Sequence, residues 1–163
     1  MAEEGDGLVV LAGEPGANAA VSACLPEDLV ASHTEGLAPF EQREGWFLAL
    51  TEQDGQPTLC AAGLSPLGAV YAVSELALRL RVRDGEAFLA FPEWADEGPP
   101  RVIFDAPAIA GRGEYLNIGY NLQQITPHEW DAERWRAYID ELVLAKLNRF
   151  YFYLWIDTYS MNP

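Results

Sequence analysis

Four residues in the last third of this 163-residue chain carry side chains that can hydrogen-bond to or stack on a ligand: Arg112, Tyr120, Trp155 and Asp157. A guanidinium is a rigid fork of donors that can serve two neighbouring oxygens at once. A carboxylate accepts from hydroxyls, and an aromatic ring offers a flat stacking face. Each also has a plainer reading. Arg112 can close a salt bridge between two parts of the chain, and Trp155 sits in an apolar run where aromatics are mostly core. Glu114 needs a partner if it points into a closed interior, or it faces a loop. His128 reads as a surface residue in a helix's first turn, and His33 as a lone loop residue without a role. Other chemistry finds no support: there is no G-x-G-x-x-G, P-loop or G-x-S-x-G, and Gly111-Arg112-Gly113 is too short to cradle a phosphate. Cys24 and Cys60, the only cysteines, lack metal-type spacing and read as a reduced, buried pair, with one disulfide as the alternative. No cofactor or metal is expected.

The elements that must position these side chains run strand, loop, helix, strand. Residues 112 to 119 alternate polar and apolar as a half-buried strand does. Thr126-Pro127-His128-Glu129 then reads as a helix start, with an N-cap, a proline at the first helical position and a capping box. Trp135, Tyr138, Ile139, Leu142, Ala145 and Leu147 recur at three- and four-residue steps, which predicts one buried helical face. Acids open that helix and Lys146 and Arg149 close it, as the macrodipole prefers. The uncharged run from Phe150 to Ile156 suits a strand covered on both faces. Strand, crossover helix and strand make a βαβ unit with parallel strands. Asp157 would follow its second strand, at the carboxyl end.

Earlier in the chain, Leu8 to Ala12 reads as a buried strand. Ala17 to Cys24 or Pro26 to Ala31 reads as helical, and residues 32 to 45 as loop. Trp46 to Leu50 and Thr58 to Ala62 form a hairpin about Asp54-Gly55. Ser65-Pro66 starts a second helix, striped by Leu67, Val70, Tyr71, Ser74 and Leu78, with Arg79, Arg81 and Arg83 gathered at its end. Asp84-Gly85 turns into a strand from Ala87 to Phe91. The prolines of residues 92 to 111 mark a boundary, with Val102-Ile103-Phe104 as a small strand within it. The fold class is α/β. Residues 1–98 form a two-layer α+β domain with both helices on one sheet face, 99–111 a linker, and 112–163 a βαβ unit.

Half the residues are hydrophobic, so the chain folds. Its net charge of −15 is uneven, with eleven acids and one base, Arg43, in residues 1 to 60. Such a surface makes nucleic acid and anionic membranes poor partners, and solubility is its plain consequence. No run is long enough to span a membrane and no signal peptide opens the chain, so a cytoplasmic location is expected if Met1 is the true start.

Two stretches carry a resemblance. Gly45 to Leu50, followed by Ala61-Ala62-Gly63-Leu64-Ser65-Pro66-Leu67-Gly68-Ala69-Val70-Tyr71-Ala72-Val73-Ser74-Glu75-Leu76, resembles the small α/β domain that precedes the barrel in family 20 β-hexosaminidases, related α-glucuronidases and hyaluronidase-like hexosaminidases. Its hallmark is a G-x-x-Y-G-x-x-x-L helix; here Ala72 replaces the second glycine. Pro107 with Ala110-Gly111-Arg112-Gly113 is similar to the entry to the first barrel strand. Residues 135 to 148, ending Lys146-Leu147-Asn148, resemble the first barrel helix with its K-x-N close.

The resemblance implies a glycosidase fragment: an auxiliary domain plus the first βαβ of a (β/α)8 barrel, which in full needs about 250 residues. It implies an N-acetylhexosamine- or uronic-acid-containing glycan as substrate of the complete enzyme, and a retaining, substrate-assisted mechanism if family 20 is followed. Arg112 would donate to sugar hydroxyls, Asp157 would hold Arg112 or accept from a hydroxyl, and Tyr120 and Trp155 would stack on a pyranose. That family ends its second strand in two consecutive acids, where this chain has Asp157 and Thr158. The catalytic acid belongs to barrel strand four, beyond these residues, so the chain alone is expected to be inactive. Bare apolar flanks on residues 150 to 156 would favour self-association. The alternative is a non-catalytic α/β module that binds carbohydrate or protein.

Overall fold

The computed structural model of the chain describes residues 8–94, 101–118 and 130–154. Tyr120, Trp155 and Asp157, and with them Thr126 to Glu129, lie outside the described residues. The fold is α/β, and the chain divides into two compact units, Met1–Ala110 and Gly111–Pro163.

The first unit is built on β2 (Trp46–Gln53) and β3 (Gln56–Gly63), joined by a two-residue turn. Asp54 and Gly55 both have positive φ (50° and 82°), the backbone twist that lets strands leave a tight turn with native handedness. β1 (Val9–Gly13) adds to β3 in parallel, and β6 (Arg101–Asp105) adds to β2 antiparallel, giving the order β1-β3-β2-β6. Part of the stretch read as linker is therefore an edge strand of the sheet. β1 is the other edge; Val10 is 47% exposed, so it is not the buried strand expected.

Both faces of the central strands are covered. Phe47, Ala49, Cys60 and Ala62 point to one side, where they meet Val21, Cys24 and Leu25 of α1 (Ala19–Cys24) and its C-cap, with α2 (Glu27–Thr34) beyond. Trp46, Leu48, Leu59 and Ala61 point to the other side and meet Tyr71 and Ala72 of α4 (Pro66–Arg79). The helices thus lie on opposite faces rather than on one. An uninterrupted apolar run such as Trp46 to Leu50 is what a strand buried on both faces requires.

Residues 32 to 45 are also more ordered than their composition suggests. α2 continues to Thr34, and α3 (Pro39–Glu44) follows, with the Ala38 amide donating to the Glu41 carboxylate at 2.6 Å. His33 closes α2 rather than sitting in a loop. Its Nδ1–H donates to the Leu29 carbonyl (2.9 Å), and its ring lies edge-on to Phe47.

α4 opens as expected: Ser65 is the N-cap, its hydroxyl accepting from the Gly68 amide and donating to the Arg43 carbonyl. Its first turn lies against backbone. A Cβ at Gly63 would fall 1.8 Å from the Ala69 nitrogen, and one at Gly68 would fall 2.4 Å from the Gly45 carbonyl oxygen. The buried face is narrower than the apolar stripe: Gly68, Tyr71, Ala72 and Ser74 are buried, while Val70, Val73 and Leu78 are each close to half exposed. Arg81 and Arg83 are not on the helix, because β4 (Leu80–Arg83) follows at once. It pairs with β5 (Glu86–Leu89) through the Asp84-Gly85 turn as a separate two-stranded sheet.

The second unit contains β7 (Gly113–Ile118), α5 (Ala132–Leu144) and β8 (Arg149–Leu154), with β7 and β8 parallel and Tyr115 opposite Tyr151. α5 is capped by Asp131, whose carboxylate accepts from the Arg134 amide at 2.8 Å. α5 starts at Ala132, where an acid one residue before the helix satisfies an orphan amide, and the Thr126-Pro127 start signal lies outside the described residues. Among the described residues of α5 none is buried, and Ile139 is 49% exposed, so the expected buried face is only partly covered. No helix among the described residues is long and apolar enough to cross a membrane.

Candidate functional site

α5 ends in a backbone arrangement that sets the geometry of everything after it. The Lys146 amide donates to the Val143 carbonyl (2.8 Å) and the Leu147 amide to the Leu142 carbonyl (2.9 Å), with Lys146 at φ 56°. This is a Schellman cap with lysine where glycine is usual. The helix stops there and aims Asn148 at the start of β8. Lys146 thus stands past the last turn, and no base lies within that turn.

Arg112 meets this cap. Its Nε–H donates to the Lys146 carbonyl at 2.8 Å, its amide donates to the Asn148 side-chain oxygen at 3.0 Å, and its carbonyl accepts from the amides of both Asn148 and Arg149 at 2.9 Å. Four hydrogen bonds therefore tie the entry of β7 to the entry of β8. Arg112 stands at the amino ends of two parallel strands, whereas ligands of barrels and open α/β sheets gather at the carboxyl ends. The geometry gives Arg112 a tying role in the fold. Asn148 is the partner that reading by residue type missed; its signal was its place directly after the helix, in the Lys146-Leu147-Asn148 close.

On the helix-covered side of β7 and β8, Trp135 and Tyr138 approach Phe150 with ring centroids 6.3 and 5.7 Å away. Glu114, opposite Phe150 in register, points to this side, and its carboxylate adds to burial, with Glu141, in raising the Tyr138 hydroxyl pKa above its ordinary value. Burial of the phenol is the largest cause. Tyr115 and Tyr151 leave the other face and are 59% and 50% exposed; the Arg149 guanidinium donates to the Tyr151 hydroxyl at 3.3 Å. The candidate ligand residues Tyr120 and Asp157 come two and three positions after the last residues of β7 and β8, Ile118 and Leu154, with Trp155 between Leu154 and Asp157. They lie outside the described residues, so Arg112 is the one of the four that has a described place.

Elsewhere, Cys24 and Cys60 are free thiols buried in the first unit. Burial, together with its neighbour Cys24, pushes the Cys60 thiol up to about 12. Among the described residues no group of three or more His, Cys, Asp or Glu could hold a metal ion.

No known protein family and no curated protein matches the chain. Solved structures do. A glycoside hydrolase family 20 β-N-acetylglucosaminidase superposes with a TM-score of 0.51 at 25% identity, covering 94% of this chain and 27% of that one. A GH20 exo-β-N-acetylglucosaminidase from Vibrio harveyi (TM-score 0.49, 18% identity, 91% of this chain and 22% of that one) matches less well. So does a GH115 4-O-methyl-α-glucuronidase with specificity for decorated arabinogalactans (TM-score 0.45, 15% identity, 76% and 18%). This chain spans little more than a quarter of the first of these structures. It has an α/β fold that resembles part of a glycoside hydrolase.

Proposed function

We propose that this chain is the amino-terminal region of a glycoside hydrolase acting on N-acetylhexosamine-containing glycans, with an auxiliary α/β domain followed by the first βαβ of a (β/α)8 barrel. The observation that carries the reading is the superposition on a family 20 β-N-acetylglucosaminidase, which takes in 94% of this chain and so includes both compact units. The parallel β7-α5-β8 unit, with its partly covered helix and exposed Tyr115 and Tyr151, fits a barrel opening whose inner face awaits further strands. The uronic-acid alternative rests on sequence resemblance alone.

In this reading the carbohydrate contacts come from residues after the carboxyl ends of the strands: Asp157 accepting from a sugar hydroxyl, and Tyr120, with Trp155, stacking on the ring. Arg112 supports them indirectly, by holding the two strands in register. No residue of this chain is assigned as a catalytic acid.

The test compares the chain with a shorter one ending at Ala110, by light scattering and apolar-dye fluorescence. If the full chain binds dye and self-associates through its second unit while the shorter chain is a dye-silent, cooperatively unfolding monomer, the barrel-opening reading stands. A full chain that is monomeric and dye-silent overturns it in favour of a self-sufficient binding module.

A further inference from the structure

The two cysteines of the chain stand on different elements and meet in the core of the first unit. Cys24 is the last residue of α1, where with Val21 it makes the buried face of that helix. Cys60 lies in the middle of β3, in register between Leu11 of β1 and Ala49 of β2. Ala49 and Ala62 are small residues on the same face as Cys60, and they let α1 come close to the sheet there. Cys24 and Cys60 are 1% and 0% exposed, and their thiols share a hydrogen bond.

Packing alone asks only for two small apolar side chains, a task that alanines perform beside them. Two thiols in contact have a further chemistry, because the loss of two hydrogens joins them. The burial that resists a charged thiolate at Cys60 does not resist a disulfide, which carries no charge. Joined, the pair would staple α1 to a central strand of the sheet and remove freedom from the unfolded chain.

We infer that Cys24 and Cys60 form a redox pair, a dithiol in reducing surroundings and a disulfide in oxidising ones, and that the disulfide stabilises the first unit. The oxidant is a low-molecular-weight disulfide, here oxidised glutathione. The thiolate of one cysteine attacks its S–S bond, which releases one glutathione thiol and leaves a mixed disulfide. The thiolate of the other cysteine attacks the protein sulfur of that mixed disulfide and releases the second glutathione. Both thiol protons end on the two glutathiones, and the two electrons lost by the cysteines are those the glutathione disulfide gains. Since both sulfurs are enclosed, exchange runs on the opened or refolding chain, and closure of the core selects the product. The pair is independent of the glycosidase reading.

The test refolds the full chain from urea into buffers of graded oxidised and reduced glutathione, then quenches with acid and counts free thiols by alkylation and mass spectrometry. Peptide mapping shows whether residues 24 and 60 of one chain are joined. The same titration in concentrated urea supplies the reference, and no substituted chain is needed. The expected result is an effective concentration of the pair about tenfold or more higher in native buffer than in urea. By the thermodynamic cycle, the bridge then stabilises the fold by that same factor. A smaller ratio means that folding does not bring the sulfurs to bonding geometry, and it overturns the proposal. So does a bridge between chains, or a product with glutathione on each cysteine.

Discussion

The two units are made by one chain under one set of rules, yet they differ in how far each encloses itself. In the first, the two central strands of a four-stranded sheet are covered on both faces, and Phe47, Leu48, Ala49, Cys60, Ala61 and Ala62 are all fully buried. In the second, two parallel strands are covered on one face by a helix with no buried residue among those described. Charge follows the same division. Residues 1 to 110 hold eighteen acids against five bases, and residues 111 to 163 hold seven against five. A unit with its own core can carry a large like-charged surface that keeps it apart from its neighbours. The second unit is nearly neutral and leaves Tyr115 and Tyr151 exposed.

The sharpest way to break this contrast is at Gly63. Gly63→Ala drives a methyl into the backbone of α4, with no flexible side chain to yield, and should cost about 3 kcal/mol or more. Urea unfolding followed by tryptophan fluorescence should show the first unit's midpoint collapse. A midpoint within a few tenths of a molar of the parent would mean that the α4–β3 contact is looser than described. Arg112→Ala is the matching change in the second unit. Removing the half-exposed bond to the Lys146 carbonyl should cost about 1.5 kcal/mol. Native-state hydrogen exchange should speed up in β7 and β8 with the first unit unaffected, and loss of protection in β2 and β3 instead would contradict the independence of the two units.

The smallest effect at neutral pH concerns Cys60. A thiol whose pKa is raised by burial contributes stability that is fully present below its unfolded value of 9.0 and is lost as pH rises towards about 12. Thermal midpoints should be flat around Cys60's contribution up to pH 9 and decline above it, less steeply in Cys60→Ala. Alkylation at pH 8 should leave Cys60 unmodified in the folded chain and modify it in urea. Ready alkylation of the folded chain would place Cys60 outside the core.

Much of the first unit was legible because its signals are local. Asp54-Gly55 and Asp84-Gly85 demand tight turns, and Ser65-Pro66 demands a helix start, whatever the rest of the chain does. The continuous apolar run of β2 also announces burial on both sides, although the expectation of helices on one face left that unused. Residues 32 to 45 misled because Gly, Pro and charge are compatible with the end of one helix and a second short one, whose start is held by the Ala38 amide donating to the Glu41 carboxylate. The candidate site was less legible. Arg112 has the right chemistry for a sugar, but its role depends on which end of β7 it occupies, and residue type carries no such information.

The sequence alone determines where the Asp54-Gly55 and Asp84-Gly85 turns fall, where α4 starts and which residues are apolar, since those follow from φ preferences, capping and side-chain type within a few residues. Tertiary structure decides which apolar residues are enclosed and which polar ones meet. The stripe of α4 is wider than the sheet it covers, so Tyr71 is buried and Val70 is not. Asn148 reaches Arg112, 36 positions earlier, only because a Schellman cap and a parallel pairing bring two strand entries together. Burial and long-range contact are properties of the closed sheet, and no window of neighbouring residues contains them.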